Sequence, residues 1–271
     1  MLAVGLALAG CGSAPPPDPV QRSVTGFAQA GAKALARGDL AGARAQYGRG
    51  LAAAQAVEHF ELAGAMLLNL ALVEARAGDL AAAHARVDPV IASERYGRTL
   101  QASAAVRKAL LHADAAEPAA ALRSADRADA ICGAPCPHAA TLAALRARVA
   151  LERGDAAGAL ALAQRAARAA EGGGQDAELA NAWRLQGRAL SALGQGDAAA
   201  ARFADALALD RRLALPERVA LDLVEAAEHE HRRGRTAAAR DFYERAIVVQ
   251  RAAGQPRDAE RLQQRLDALP K

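Results

Sequence analysis

The residue types best suited to chemistry meet in the segment CGAPCPH, which contains Cys132, Cys136 and His138. In an oxidising compartment two cysteines this close commonly form a disulfide, although such small rings are often strained. Structural or free thiols, and redox or metal use, are the alternatives. A fourth metal ligand is not evident, and C-x3-C-x-H is not a known zinc spacing. We therefore expect a disulfide and no metal site.

A second stretch with potential ligands is EHEH, from Glu228 to His231. Residues two apart on a helix point to different faces, so His229 and His231 cannot share one ion. The spacing also differs from H-E-x-x-H, in which the histidines are four apart. The sequence contains no phosphate-binding glycine loop, serine nucleophile elbow or kinase motif. We expect a solvated charged helix face here, and a protein that is not an enzyme and carries no cofactor.

The clearest pattern lies in residues 181–210, which read as two helices joined by a tight turn. Small residues stand where the two helices approach closely, and two aromatic residues fill the wider gaps. This stretch resembles a tetratricopeptide repeat (TPR), whose pattern is W-x2-L-G-x2-Y, then A-x3-F, then A. Gln186 and Leu190 depart from the Leu and Tyr of that pattern. Five positions match it: Trp183, Gly187, Ala199, Phe203 and Ala206.

Glycines at the turns define further copies of this unit. Gly38, Gly78, Gly154, Gly194 and Gly234 lie 40, 76, 40 and 40 residues apart, and the interval of 76 hides one repeat whose turn near Ala116 has lost its glycine. Six repeats result. The resemblance implies an all-α superhelix of about six helix pairs, over residues 21–253, with a C-terminal capping helix within residues 254–271.

Composition agrees with this architecture. The chain of 271 residues is 52% hydrophobic but only 3% aromatic, too few aromatic residues for a conventional sandwich or barrel core. Alanine dominates and is the strongest helix former. The formal net charge of +4 is mild, and the charges are interspersed, so we expect no nucleic-acid partner.

The amino terminus carries an apolar run that ends in Leu8-Ala9-Gly10-Cys11, too short to span a bilayer. It resembles the lipobox of bacterial lipoproteins, which implies a signal peptide over residues 1–10 and lipidation, typically including palmitate, at Cys11. No Lys or Arg precedes the run, in contrast to such signals. Gly12 in place of Asp implies the outer membrane, facing the periplasm. The proline-rich residues up to 20 predict a semi-rigid linker.

In TPR proteins the first helix of each repeat lines a concave groove that binds peptides. The resemblance implies an arginine-rich groove, and arginine forks suit acidic or C-terminal peptide segments. The alternative is that exposed arginines only solubilise alanine-rich helices. The groove positions are Asn69, Arg76, Arg107, Arg148, Asn181, Arg184, Arg188, Glu225, Glu228, His231 and Arg232.

Together these features predict a scaffold, anchored to the outer membrane, that binds proteins or peptides in its concave groove. Similar lipoproteins serve pilus assembly, secretion or cell-wall machinery, so we expect a role in cell-envelope assembly. One alternative is a module that binds a small ligand or a cell-wall fragment near the CGAPC loop. Another is an enzyme that uses Cys132 and Cys136 for thiol exchange.

Overall fold

The computed structural model describes residues 18–270, which form thirteen α-helices and one short 3-10 helix and contain no strand. Within this range no helix is both long enough and apolar enough to cross a bilayer. The α-helices are α1 Pro19–Ala36, α2 Leu40–Gln55, α3 Phe60–Arg76, α4 Leu80–Ala92, α5 Gly97–Asp114, α6 Pro118–Cys132, α7 Ala139–Glu152, α8 Ala156–Gly172, α9 Asp176–Ala192, α10 Gly196–Arg212, α11 Pro216–Arg232, α12 Thr236–Ala252 and α13 Pro256–Asp267; the 3-10 helix is Glu94–Tyr96.

In the described residues, a residue with positive φ lies in the connection after each of α1 to α12 or, for Gly97, at the first residue of the next helix, and these residues recur about every twenty positions. Glycine adopts this left-handed conformation at little cost, which explains its place in most turns. Three turns use other residues: Glu58 at φ +53°, Ala116 at +57° and Ala214 at +52°. The glycines with positive φ are Gly38, Gly78, Gly97, Gly133, Gly154, Gly174, Gly194, Gly234 and Gly254.

Aspartates after several of these turns begin the next helix. The Asp39 carboxylate accepts a hydrogen bond from the backbone N–H of Gly42 at 2.8 Å, and Asp155 does the same for Gly158. Each bond satisfies an N–H group that has no partner inside the helix. Repeat three has no such aspartate and instead begins its second helix with Pro118 in the first turn, where a missing N–H costs nothing.

The two helices of a repeat pack closely because a small residue faces an aromatic ring. Gly187 on α9 lies under the ring of Phe203 on α10, and Gly31 on α1 lies under the ring of Tyr47 on α2. Both rings are almost fully buried. Alanine fills most remaining positions between the helices, so the core is built from close backbone approach more than from bulky side chains.

The helix pairs follow one another as a continuous array. Leu142, Leu145 and Val149 of α7 share one hydrophobic core with α3 to α6, across the CGAPC segment. The odd-numbered helices also contact one another from repeat to repeat, and therefore form the inner layer of the curved array. Six helix pairs and a final helix confirm the predicted all-α superhelix, in which Leu262 and Leu266 of α13 cover the last pair.

The start of the array differs from the sequence prediction by two residues. A linker was predicted up to residue 20, but α1 begins at Pro19. Asp18 accepts a hydrogen bond from the backbone N–H of Val20, and proline suits the first turn, so the two residues favour a helix start. Cys11 and the predicted signal peptide lie outside the described residues, and the other domain boundaries remain predictions.

Candidate functional site

The predicted groove residues lie on the inner layer of helices, from α3 to α11. Asn69 and Arg76 lie on α3, Arg107 on α5 and Arg148 on α7. Asn181, Arg184 and Arg188 lie on α9, and Glu228 lies on α11. The register of the repeats therefore places these side chains on one layer, but their individual surroundings differ greatly.

Arg148 is held by carboxylates of its own repeat and of the preceding one. Its guanidinium lies 2.7 Å from Asp114 on α5 and 3.0 Å from Glu152 on α7, and it donates to the carbonyl oxygen of Ala113 at 2.8 Å. Burial disfavours its charge, but hydrogen bonds to Asp114 and Glu152 outweigh that effect and raise the pKa of Arg148. The side chain is thus neutralised and fixed within the protein.

Arg184 is buried rather than exposed in the groove, which corrects its predicted placement. Only 5% of the residue is exposed. Its guanidinium donates to Asp222 at 2.5 Å and to Asp210 at 2.7 Å, and also to the Asn181 side-chain oxygen at 3.0 Å. A buried guanidinium with two carboxylates joins α9, α10 and α11, so Arg184 fastens repeat five to repeat six.

The two carboxylates around Arg184 carry one negative charge more than the guanidinium can balance. Burial raises the pKa of Asp222 to about 7, although Arg184 acts in the opposite direction, and the neighbouring Asp210 adds to the increase. One oxygen of Asp210 and one of Asp222 are buried without a hydrogen-bond partner in the described part of the chain. Protonation of Asp222 near neutral pH removes the excess charge.

Arg188 and Glu228 also have partners of opposite charge. Arg188 lies 3.8 Å from Glu225, and Glu228 lies 2.9 Å from Arg265 on α13. Burial raises the pKa of Glu225, which Arg188 partly opposes, and the adjacent Glu228 raises it further. Arg232 lies 4.0 Å from Glu228 and donates to Ser191 at 3.1 Å. The carboxyl end of the groove is therefore a mixed charge network, as predicted for repeat six.

Arg76 reaches across the superhelix. It donates to both oxygens of Glu217 on α11, at 2.9 and 3.2 Å, and Gln255 donates to the same carboxylate at 3.0 Å. A cavity of about 560 Å³ lies behind this contact, with Leu35 and Tyr47 on one side and Leu215 on the other. The second and sixth repeats therefore meet at this ion pair, and residues of the first repeat line the cavity beside it. The inner face is thus enclosed more fully than a simple groove.

Arg107, Asn69 and Asn181 remain available to a ligand. Arg107 is half-buried, and no carboxylate of residues 18–270 lies within ion-pair distance of its guanidinium. Burial lowers the pKa of Arg107, Asp114 partly opposes this, and Arg76 lowers it further; the side chain nevertheless stays a cation. Asn69 and the amide NH2 of Asn181 are half-buried and make no hydrogen bond with the described residues. These groups suit a peptide carboxylate and backbone amides.

Comparison with known proteins supports the fold alone. No protein-family model matches the chain, and no curated protein matches its sequence. The APC/C hetero-tetramer Cut9–Hcn1 is similar in structure, with a TM-score of 0.65 and 15% identity over 91% of this chain and 43% of that one. A tetratricopeptide repeat protein from Parabacteroides merdae gives a TM-score of 0.52 and 15% identity, over 92% and 94% of the two chains.

A third similar structure is a signal transduction ATPase with a tetratricopeptide repeat sensor, from Pyrococcus horikoshii. Its TM-score is 0.63 at 12% identity, over 90% of this chain and 36% of the other. The chain thus spans less than half the length of this protein and of the Cut9–Hcn1 chain. The chain has the TPR fold. This confirms at the level of structure the resemblance carried by Trp183, Gly187 and Phe203.

The predicted disulfide is present in this TPR array. Cys132, at the end of α6, and Cys136 are bonded to each other, with their Cα atoms 5.4 Å apart. His138 lies next to them, half-buried, with its Nε2 atom 3.0 Å from the hydroxyl of Ser103 on α5. Burial lowers the pKa of His138 and so favours the neutral ring. The disulfide closes the connection between repeats three and four.

The sequence did not reveal the carboxylates that form ion pairs with the arginines of the predicted groove. Asp114, Asp210, Asp222 and Glu217 each contact an arginine of the predicted groove. One signal was present: Arg184 and Asp222 lie 38 residues apart, close to one repeat period. Residues one period apart occupy similar places on neighbouring repeats, so opposite charges at this spacing are candidates for ion pairs.

Proposed function

We propose that this protein is a scaffold that binds protein or peptide segments on the inner face of its TPR array. The proposal rests mainly on Arg107, a half-buried cation on the inner layer that has no carboxylate partner in the described part of the chain. Its neighbours in the array are neutralised by internal ion pairs, so Arg107 offers the strongest attraction for a ligand carboxylate. Asn69 and Asn181 lie on the same layer and supply hydrogen bonds to an extended backbone.

The ligand that fits this arrangement is a segment with few charges and one acidic group. The paired arginines cannot give a broad cationic groove, because Arg148, Arg184 and Arg188 already face carboxylates. A highly acidic peptide would have to displace those carboxylates and leave them unpaired, at a cost of a few kcal/mol for each buried one. We therefore narrow the predicted acidic ligand to one in which a single side-chain or terminal carboxylate meets Arg107.

We further propose that the scaffold is held at the outer membrane by a lipid on Cys11, faces the periplasm, and serves assembly of the cell envelope. The sequence Leu8-Ala9-Gly10-Cys11 supports the anchor. The bonded pair Cys132–Cys136 is compatible with an oxidising compartment such as the periplasm. A Cys11→Ser variant tests the anchor: it should lose incorporation of a labelled fatty acid and leave the membrane fraction. Retention of the label would refute lipidation at Cys11.

The groove is tested by site-specific photo-crosslinking in the native cell. Photoreactive residues at Asn69, Arg107 and Asn181 should capture one discrete partner, because all three positions lie on the inner layer. Matched positions on the outer helices, Arg165 on α8 and Arg202 on α10, should not capture it. Equal products from both faces would show that the inner face is only a solvated surface.

A second variant connects capture to the proposed contact. With the photoreactive residue at Asn69, the change Arg107→Gln should reduce capture about tenfold, equivalent to roughly 1.4 kcal/mol of binding free energy. Arg165→Gln is the control, since it removes one positive charge from the outer face. Undiminished capture with Arg107→Gln would exclude Arg107 as the ligand contact.

A further inference from the structure

The outer face of repeat three contains a cavity whose charged lining is entirely basic. Its volume is about 280 Å³, and it lies between α4, α5 and α6. Ala105 and Ala120 form apolar parts of its wall, and Ser124 supplies a hydroxyl. The small residues Ala120 and Ser124 leave room between α6 and its neighbours. The cationic and titratable side chains that line it are Lys108, His112, Arg123 and Arg127.

Arg123 and Arg127 are exposed and have no carboxylate within ion-pair distance in residues 18–270. They lie four residues apart on α6 and therefore on the same face of the helix. The acidic residues of α6, Asp126 and Asp129, both contact Arg146 on α7 at 2.7 Å. The charges of α6 are thus segregated, with the carboxylates turned to α7 and the two arginines left at the cavity.

Lys108 and His112, the other two basic residues at the cavity, each contact a carboxylate, but these carboxylates do not balance the charge of the two arginines. Lys108 lies 2.7 Å from Asp88, and His112 donates from Nδ1 to Glu117 at 2.6 Å. Neither carboxylate lines the cavity. The His84 ring packs against His112 with a centroid distance of 4.6 Å, and burial, His112 and Lys108 together lower the pKa of His84. Two guanidinium groups therefore remain uncompensated.

The same cleft in repeat six provides an internal comparison. There a cavity of about 290 Å³ between α10, α11 and α12 is lined by Phe203, Phe242 and Glu230. The residues equivalent to Arg123 and Arg127, seven and eleven positions after the turn residue, are Asp241 and Arg245, which pair with each other at 2.9 Å. A cleft of this shape therefore does not by itself require cations.

Repeat four gives the same contrast: its equivalent residues are Ala161 and Arg165. Among the repeats, only the third places arginine at both positions. Two adjacent guanidinium forks with a nearby hydroxyl match the geometry of phosphate oxygens, which accept several charge-assisted hydrogen bonds at once.

We infer that the cleft formed by Lys108, Arg123, Ser124 and Arg127 binds a phosphate group. The group belongs either to a small phosphorylated solute or to a phospholipid headgroup. The site lies on the outer face of the array, away from the inner face proposed for peptides.

The test uses the full chain with Cys11→Ser, so that no lipid on Cys11 contributes to membrane binding. Isothermal titration calorimetry with inorganic pyrophosphate measures the solute arm. Sedimentation with vesicles of phosphatidylcholine alone, or of phosphatidylcholine with phosphatidylglycerol, measures the headgroup arm. Binding of pyrophosphate supports a solute site, and binding of the anionic vesicles alone supports a headgroup site.

In whichever arm binds, Arg123→Gln with Arg127→Gln should weaken binding at least about tenfold. Arg165→Gln, at the equivalent position of repeat four, should change it less than about twofold. Both variants alter exposed side chains, and unchanged circular dichroism and melting confirm that they fold. The inference is overturned if neither probe binds the chain, or if Arg165→Gln weakens binding as much as the double variant.

Discussion

Arg76 on α3 and Glu217 on α11 form a bidentate ion pair although 141 residues separate them in sequence. The contact joins the second repeat to the sixth and closes the inner face of the superhelix. Both side chains are well exposed, at 39% and 41%, and such pairs contribute only about 0–1 kcal/mol. The pair is therefore suited to keeping the inner face closed while still allowing a ligand to open it.

Reversing one charge of this pair should open the array. In Arg76→Glu two carboxylates face each other, so the distance between repeat one and α13 should increase. Pulsed electron spin resonance between labels at Arg37 and Arg257 measures that distance. These two residues are the sequence neighbours of Gly38 and Asp258, which line a cavity together with the ion pair itself. The double change Arg76→Glu with Glu217→Arg should restore it, and Arg165→Glu should leave it unchanged. An unaltered distance in Arg76→Glu would show that the ion pair does not hold the closure.

The buried carboxylates around Arg184 predict that stability falls as the pH rises. The folded-state pKa of Asp222 is raised to about 7, so between about pH 4 and 7 the folded protein binds more protons at this site than the unfolded chain does. Stability is therefore highest in the acidic part of this range and is lost as the pH approaches 7. One pKa unit corresponds to about 1.4 kcal/mol, which limits the change to a few kcal/mol.

Urea unfolding of the wild type and of Asp222→Asn at pH 5, 6, 7 and 8 measures this effect. The neutral amide cannot titrate, so Asp222→Asn should lose most of the decline between pH 5 and 7. Asp197→Asn is the control, because Arg233 lowers the pKa of Asp197 and its titration falls below this range. Equal pH dependence in the wild type and Asp222→Asn would contradict the assignment.

The sequence predicted the helices and most turns because their causes are local. Gly38 and its counterparts provide left-handed turn residues, and Asp39 begins the next helix. Glu58 and Ala214 gave no such signal, since neither residue favours positive φ. The positive φ at these two turns therefore could not be predicted from the residue types at the turns.

The candidate site was predictable in position but not in electrostatics. The repeat register placed Arg107 and Arg148 on the inner layer. It did not show that Asp114 and Glu152 would hold Arg148, because that depends on how far side chains reach between helices. Burial of Arg184 was unforeseen for the same reason: its two carboxylates come from other helices.

The disulfide should stabilise the junction between repeats three and four. For a loop as short as Cys132 to Cys136, chain-entropy arguments give about 2 kcal/mol. The change Cys132→Ser with Cys136→Ser should lower the urea midpoint accordingly and make it insensitive to dithiothreitol. In the Cys11→Ser background no thiol should titrate in denaturant before reduction, and two should titrate afterwards. Two reactive thiols without reduction would show that the cysteines are unpaired.

The close approach of Gly187 to Phe203 predicts a strong effect of one methyl group. A Cβ at position 187 would lie 2.7 to 2.9 Å from three ring carbons of Phe203, well inside contact distance. Gly187→Ala should therefore destabilise the protein by about 1–3 kcal/mol in urea unfolding. The double variant Gly187→Ala with Phe203→Leu should lose less stability than the sum of the two single changes, because the smaller side chain relieves the clash.

Gly48→Ala on α2 is the control, because a Cβ added there would meet no atom within 4 Å. It should stabilise the protein by about 0.5–1 kcal/mol through helix propensity. Equal effects at positions 187 and 48 would show that this contact does not set the spacing of α9 and α10.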